Sequence, residues 1–149
     1  MATIKKKIVL VGGGAAGKTS AALTFVCGRF PTVLLSTTLV GDHYVADVVV
    51  DGVSVELDLW DTAGFGTDGD RYRSLSYPDT DAVIMFYSID DPQCHHLDDV
   101  CDDVGNTTAN TARACALRVL HSTSQHRNFL PTFVLNLIHS ATSTGNNGS

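Results

Sequence analysis

The stretch that most constrains this chain is Gly12-Gly13-Gly14-Ala15-Ala16-Gly17-Lys18-Thr19, which follows the apolar run Ile8-Val9-Leu10-Val11. It fits the pattern G-x-x-x-x-G-K-[ST] in the context that gives the pattern meaning, after a strand and at the start of a helix. Glycines let successive backbone N–H groups turn inward as an anion nest, and the helix beginning at Lys18 adds the positive end of its dipole. Lys18 is then placed to reach the β- and γ-phosphates of a nucleotide. Thr19 offers a hydroxyl to the Mg²⁺ that bridges those phosphates. Residues 12–19 are therefore expected to hold phosphate. The motif by itself selects neither the base nor the reaction.

The flanking pattern predicts the fold around this loop. Residues 4–11 read as a buried strand, and residues 18–30 as a helix carrying Leu23, Val26, Cys27 and Phe30 at helical spacing. Residues 43–50 and 53–61 read as two strands joined by Asp51-Gly52, a dipeptide suited to the positive φ angles of a tight hairpin. In the second strand Val53, Val55, Leu57 and Leu59 share one face, with Ser54, Glu56 and Asp58 on the other. A loop over 64–70 leads to a further strand at 82–89. The order implies an α/β domain with a mixed, mostly parallel sheet, an antiparallel edge and covering helices. In such folds ligands sit at the carboxyl ends of the strands.

The segment Leu59-Trp60-Asp61-Thr62-Ala63-Gly64 resembles the second nucleotide motif of Ras-like small GTPases. Tyr44-Val45-Ala46-Asp47, Val50-Asp51-Gly52 and Leu75-Ser76-Tyr77-Pro78-Asp79-Thr80-Asp81 resemble the Rho/Rac branch, with the likeness running from about Lys5 to Asp91. The resemblance implies a P-loop G domain that binds GTP and GDP with Mg²⁺ and works as a molecular switch in cytoskeletal signalling. It implies that Asp61 holds a Mg²⁺-bound water and that the Gly64 amide meets the γ-phosphate. It also implies a first-switch threonine closing on Mg²⁺, which is Thr37 or Thr38, with Thr37 preferred. Thr37, Thr38 and Tyr44 then face effectors, and exchange factors are expected as partners.

Three departures stand beside the likeness. Phe65 occupies the place of the family's glutamine, and Phe cannot hydrogen-bond the attacking water, so hydrolysis is expected to be very slow. No Asn-Lys-x-Asp motif is present, so guanine preference follows from kinship only. The sequence after Pro92 is divergent, which suggests a domain incomplete at its C-terminal end. Residues 1–92 form the Rho-like part, 93–139 the divergent remainder and 140–149 a polar tail expected to be disordered. Two other readings stay open: a pseudo-GTPase interaction module that keeps the fold without turnover, and a truncated product without function.

Composition bounds the rest. At 149 residues one domain is the default. A net charge of −6 argues against sequence-independent binding of nucleic acid. The basic cluster Lys5-Lys6-Lys7 reads as a solvated strand end. The four cysteines, Cys27, Cys94, Cys101 and Cys115, are irregularly spaced, and no signal peptide or prenylation motif is visible, so a cytoplasmic protein without a stable membrane anchor is expected. A peripheral place at membranes through partners stays open. Cys94, His95, His96 and Cys101 invite a zinc reading, but on a helix Cys94 and Cys101 lie two turns, about 10 Å, apart, too far for one ion.

Overall fold

The structure, a computed structural model, describes residues 3–32, 41–64 and 70–86. Its elements are β1 (Ile4–Gly12), α1 (Lys18–Cys27), β2 (Asp42–Val50), β3 (Val53–Asp61), α2 (Asp70–Arg73), a 3-10 turn (Ser74–Ser76) and β4 (Ala82–Phe86). The strand order is β2-β3-β1-β4. β1 pairs in parallel with β3 and β4, and β2 runs antiparallel to β3, so the sheet is mixed and mostly parallel with an antiparallel edge, as the sequence predicts.

β1 lies inside the sheet, and Ile8, Val9, Leu10 and Val11 are all fully buried. A strand covered on both faces has no side turned to water, which is why it reads as an unbroken apolar run. On one face Ile8 and Leu10 pack with Leu57, Leu59, Ile84 and Phe86, with Ala22 of α1 above them and Ala21 and Phe25 alongside. Full burial of each large aliphatic side chain contributes roughly 1.5–3 kcal/mol. On the opposite face Val9, Val11, Val83 and Met85 pack with Tyr77, and Trp60 leans against them.

The β2–β3 turn forms at Asp51 and Gly52, with φ angles of 50° and 78°. These are the left-handed values a two-residue hairpin needs, and they fix the register from Val50↔Val53 to Asp42↔Asp61. The predicted alternation holds in β3, where Val55, Leu57 and Leu59 are buried. α1 ends at Cys27, before the predicted residue 30, because Gly28 adopts the left-handed conformation that stops a helix. β2 starts at Asp42, and β4 is described through Phe86. The end of the strand predicted to 89, the divergent remainder at 93–139 with Cys94, His95, His96 and Cys101, and the tail lie outside the described residues. Among the described residues no helix is long and apolar enough to cross a membrane.

The three lysines do more than end a strand in solvent. Lys5 pairs with Glu56 at 2.8 Å and Lys6 with Asp81 at 2.6 Å. Lys7 donates to Pro78 O at 2.8 Å while its ammonium lies 4.1 Å from the Trp60 ring centre. Asp81 also accepts from the Lys7 amide at 2.9 Å, and its own amide donates to Lys7 O at 3.0 Å. The start of β1 is thereby fastened to the segment that leads into β4.

Gly12, the last residue of β1, has φ 147°, and a Cβ there would sit 2.0 Å from Phe86 O. Gly12→Ala is expected to destabilise the protein by about 3 kcal/mol or more, since it adds both backbone strain and a clash with main chain that cannot swing aside. Urea unfolding monitored by circular dichroism checks this.

Candidate functional site

At the carboxyl end of β1 the chain turns through Ala15 at φ 57° and Gly17 at φ 89° before α1 begins. The Ala16 amide reaches back to Gly13 O at 3.4 Å. Gly17 caps α1 without any side-chain hydrogen bond. A helix start left without a side-chain acceptor is an anion site in waiting.

Lys18 folds back over the loop. Its Nζ donates to Gly12 O at 2.9 Å and Gly13 O at 2.8 Å, and the residue is 6% exposed. Burial lowers its pKa below the ordinary lysine value, the Asp61 carboxylate works against that shift, and Arg73 adds to it. A buried ammonium held by two carbonyls lacks a full counter-charge, and a phosphate placed in the loop would supply it.

The second turn is brought to the same place by β3. Thr62 donates to Leu10 O from both its amide, at 3.2 Å, and its hydroxyl, at 2.7 Å. This ties the turn to β1 two residues before the glycine loop. Gly64 then touches that loop directly, since a Cβ on Gly64 would lie 2.6 Å from the Gly14 nitrogen. Gly64 is a glycine because no side chain fits between the two backbones.

Asp61 ends β3 and is 1% exposed. Its Oδ2 accepts from the Thr19 hydroxyl, and its buried Oδ1 has no hydrogen-bond partner among the described residues. Burial raises its pKa above the ordinary carboxylate value, opposed by the Thr19 hydrogen bond and Lys18 and reinforced by Asp42. A buried carboxylate oxygen left unpaired is costly, and a hydroxyl beside it completes a pair of hard oxygen donors. That donor set fits Mg²⁺, with Thr19 and Asp61 as the residues that would hold it.

The structure thus brings residues 12–19, Asp61 and Gly64 together. Thr37, Thr38 and Phe65 lie outside the described residues. Tyr44 sits half-buried on the α1 side of β2 against the core, with its hydroxyl 3.4 Å from Asp42, and burial pushes its pKa up to about 12. Its neighbours His43 and Val45 occupy the exposed face.

Sequence reasoning missed Gly41, Asp42 and Arg73. Gly41, at φ 99°, passes so close that a Cβ would lie 3.0 Å from Asp61 O. Asp42 pairs across the ladder with Asp61, a position that counting back from the Asp51-Gly52 turn would have found. Arg73 is 9% exposed and near enough to Lys18 to shift it. Its place depends on how the segment after Gly64 returns to the sheet, for which the sequence carries no local signal.

Compared with known protein families, residues 7–117, well over half of the 149, match the model described as the Ras family.

The raised pKa of Asp61 has a signed consequence in protein free of nucleotide and metal. The fold favours its protonated form, so its contribution to stability is full below the ordinary value of 3.8 and is lost as pH rises through the raised value. Asp61→Asn, uncharged throughout, is expected to be the more stable form near neutrality, with the advantage vanishing in acid. Urea midpoints of both proteins from about pH 4 to about pH 7 check this.

Proposed function

Because the chain belongs to the Ras family, we propose that this small GTPase works as a Rho-like GTP/GDP switch with very slow hydrolysis, in cytoplasmic signalling to the cytoskeleton. The observation that carries the reading is the meeting of Gly64 with Gly14 while Thr19 bonds Asp61. A pocket assembled from both loops can distinguish two phosphates from three, which is what a switch requires.

Each residue has a physical role in that reading. Loop amides from Gly13 to Thr19 bind phosphate oxygens, and Lys18 exchanges its carbonyl partners for the β- and γ-phosphates. Thr19 and Asp61, joined by Thr37 of the first switch, would hold a Mg²⁺ ion, which would supply positive charge against the phosphates. The Gly64 amide reports the third phosphate, and Thr38 and Tyr44 belong to the segment that effectors and exchange factors meet. The Rho-like assignment is supported by the quoted likeness around Tyr44 and around 75–81. Phe65 supports the slow hydrolysis, since it leaves the attacking water without an amide to orient it. The same residue favours a second reading, a pseudo-GTPase that binds nucleotide and never turns it over.

Labelled GTP and GDP are expected to bind in a Mg²⁺-dependent way, ATP weakly, and Lys18→Ala to lose binding by on the order of a hundredfold or more. A folded protein that binds neither guanine nucleotide would overturn the proposal. Single-turnover phosphate release should run at roughly 10⁻⁴ per second or below, and Phe65→Gln should raise it by on the order of tenfold. Release no faster than from free GTP, unchanged in Phe65→Gln, selects the pseudo-GTPase.

A further inference from the structure

Among the described residues no strand lies on the outer side of β2, a nine-residue strand at the sheet edge. Edge strands present unpaired N–H and C=O groups and are templates for pairing. In a two-residue hairpin the flanking residues form a hydrogen-bonded pair, here Val50 with Val53, and such pairs recur at every second residue. Asp42, Tyr44, Ala46, Val48 and Val50 therefore spend their backbone groups on β3. His43, Val45, Asp47 and Val49 turn theirs outward.

The same four residues share one face, and two of them are exposed valines, Val45 at 48% and Val49 at 71%. Their chemistry is self-complementary in one register. An antiparallel pairing about Val45 sets Val45 against Val45 and His43 against Asp47 twice, and among the described residues none of these spends its amide or carbonyl on another strand. Moving the centre to Asp47 opposes two carboxylates, which is destabilising. Moving it to His43 opposes two imidazoles and separates each from Asp47. Centring on Tyr44 sets His43 against Val45, and centring on Ala46 sets Val45 against Asp47 and His43 against Val49, so neither matches apolar with apolar and base with acid.

We propose that β2 pairs antiparallel with β2 of a second copy of this chain about a two-fold axis at Val45, continuing the sheet across the dimer. The contact is isologous, as closed two-fold dimers require. His43 already pairs with Asp58 through Nε2 and lies edge-on to Trp60 at 5.4 Å. That arrangement fixes the imidazole on the face where Asp47 of the second copy arrives. One short strand per partner buries less than the about 1,200 Å² of stable complexes, so the dimer is weak and concentration-dependent.

Sedimentation equilibrium of the full chain from about 10 μM to about 500 μM should show mass rising from monomer towards dimer. Asp47→Lys, which places two cations opposite His43, should weaken association at least about tenfold. Under mild oxidation Val45→Cys should form a disulfide-linked dimer, because directly opposed residues of a hydrogen-bonded pair have Cα atoms about 5.5 Å apart, within disulfide reach. Val49→Cys, carrying the same native cysteines and more exposed, faces Gly41 in this register and should stay uncrosslinked. Strict monomer over the whole range overturns the proposal and leaves the edge to a different protein. Equal crosslinking of the two cysteine variants, or a dimer indifferent to Asp47→Lys, overturns it as well.

Discussion

Main chain touching main chain at the carboxyl end of β1 is the constraint on which this molecule is built. Gly12 runs against Phe86, Gly64 against Gly14 and Gly41 against Asp61, with hypothetical Cβ atoms at 2.0, 2.6 and 3.0 Å from the facing backbone. Backbones this close bring amide dipoles together without intervening side chains, so the charge of the site is carried by groups that do not have to be ordered when a ligand arrives. The sheet makes such proximity possible. Parallel pairing of β1 with both β3 and β4 ends several strands at one level.

Charge within this frame is unbalanced by design of the chain itself. Lys18 and Asp61 are both buried, each holds the other partly in check, and each is still shifted towards its neutral form by burial. A phosphate beside Lys18 and a divalent cation beside Asp61 would relieve both at once. Binding and folding are then linked, because a ligand that meets only the folded protein raises its stability by mass action. The fold holds these two groups buried at some cost to its own stability, as functional sites commonly do.

Much of this was legible beforehand, for reasons that differ by element. The glycine loop and the Asp51-Gly52 turn were readable because positive φ angles demand particular residues. β3 was readable because one of its faces is buried and the other is not. The helix boundary was missed since Val26 and Phe30 keep helical spacing, while Gly28 between them decides the end; those side chains are 36% and 52% exposed. Lys5, Lys6 and Lys7 looked like one basic cluster, yet a strand sends neighbours to opposite faces, and their partners Glu56, Asp81 and Pro78 are far away in sequence. Contacts of that kind, like the approach of Arg73 to Lys18, follow from topology and have no local signature. The likeness to Ras-like proteins named Asp61 and Gly64 before the fold could, and the fold supplied the close backbone contact that calls for glycine at 64.

The way the chain leaves and rejoins the sheet between β3 and β4 has a mechanical meaning. Thr62 is bonded to Leu10, and Asp81 grips Lys6 and Lys7, so both ends of this excursion are pinned to the same strand. The pins are three residues apart on β1, about 10 Å at the rise of a strand. Ring closure is therefore borne by the sheet, and the residues between the pins form a closed circuit whose ends do not separate when its middle changes shape. The sheet acts as a clamp stand, and both fastenings fall on the strand whose carboxyl end carries the glycine loop.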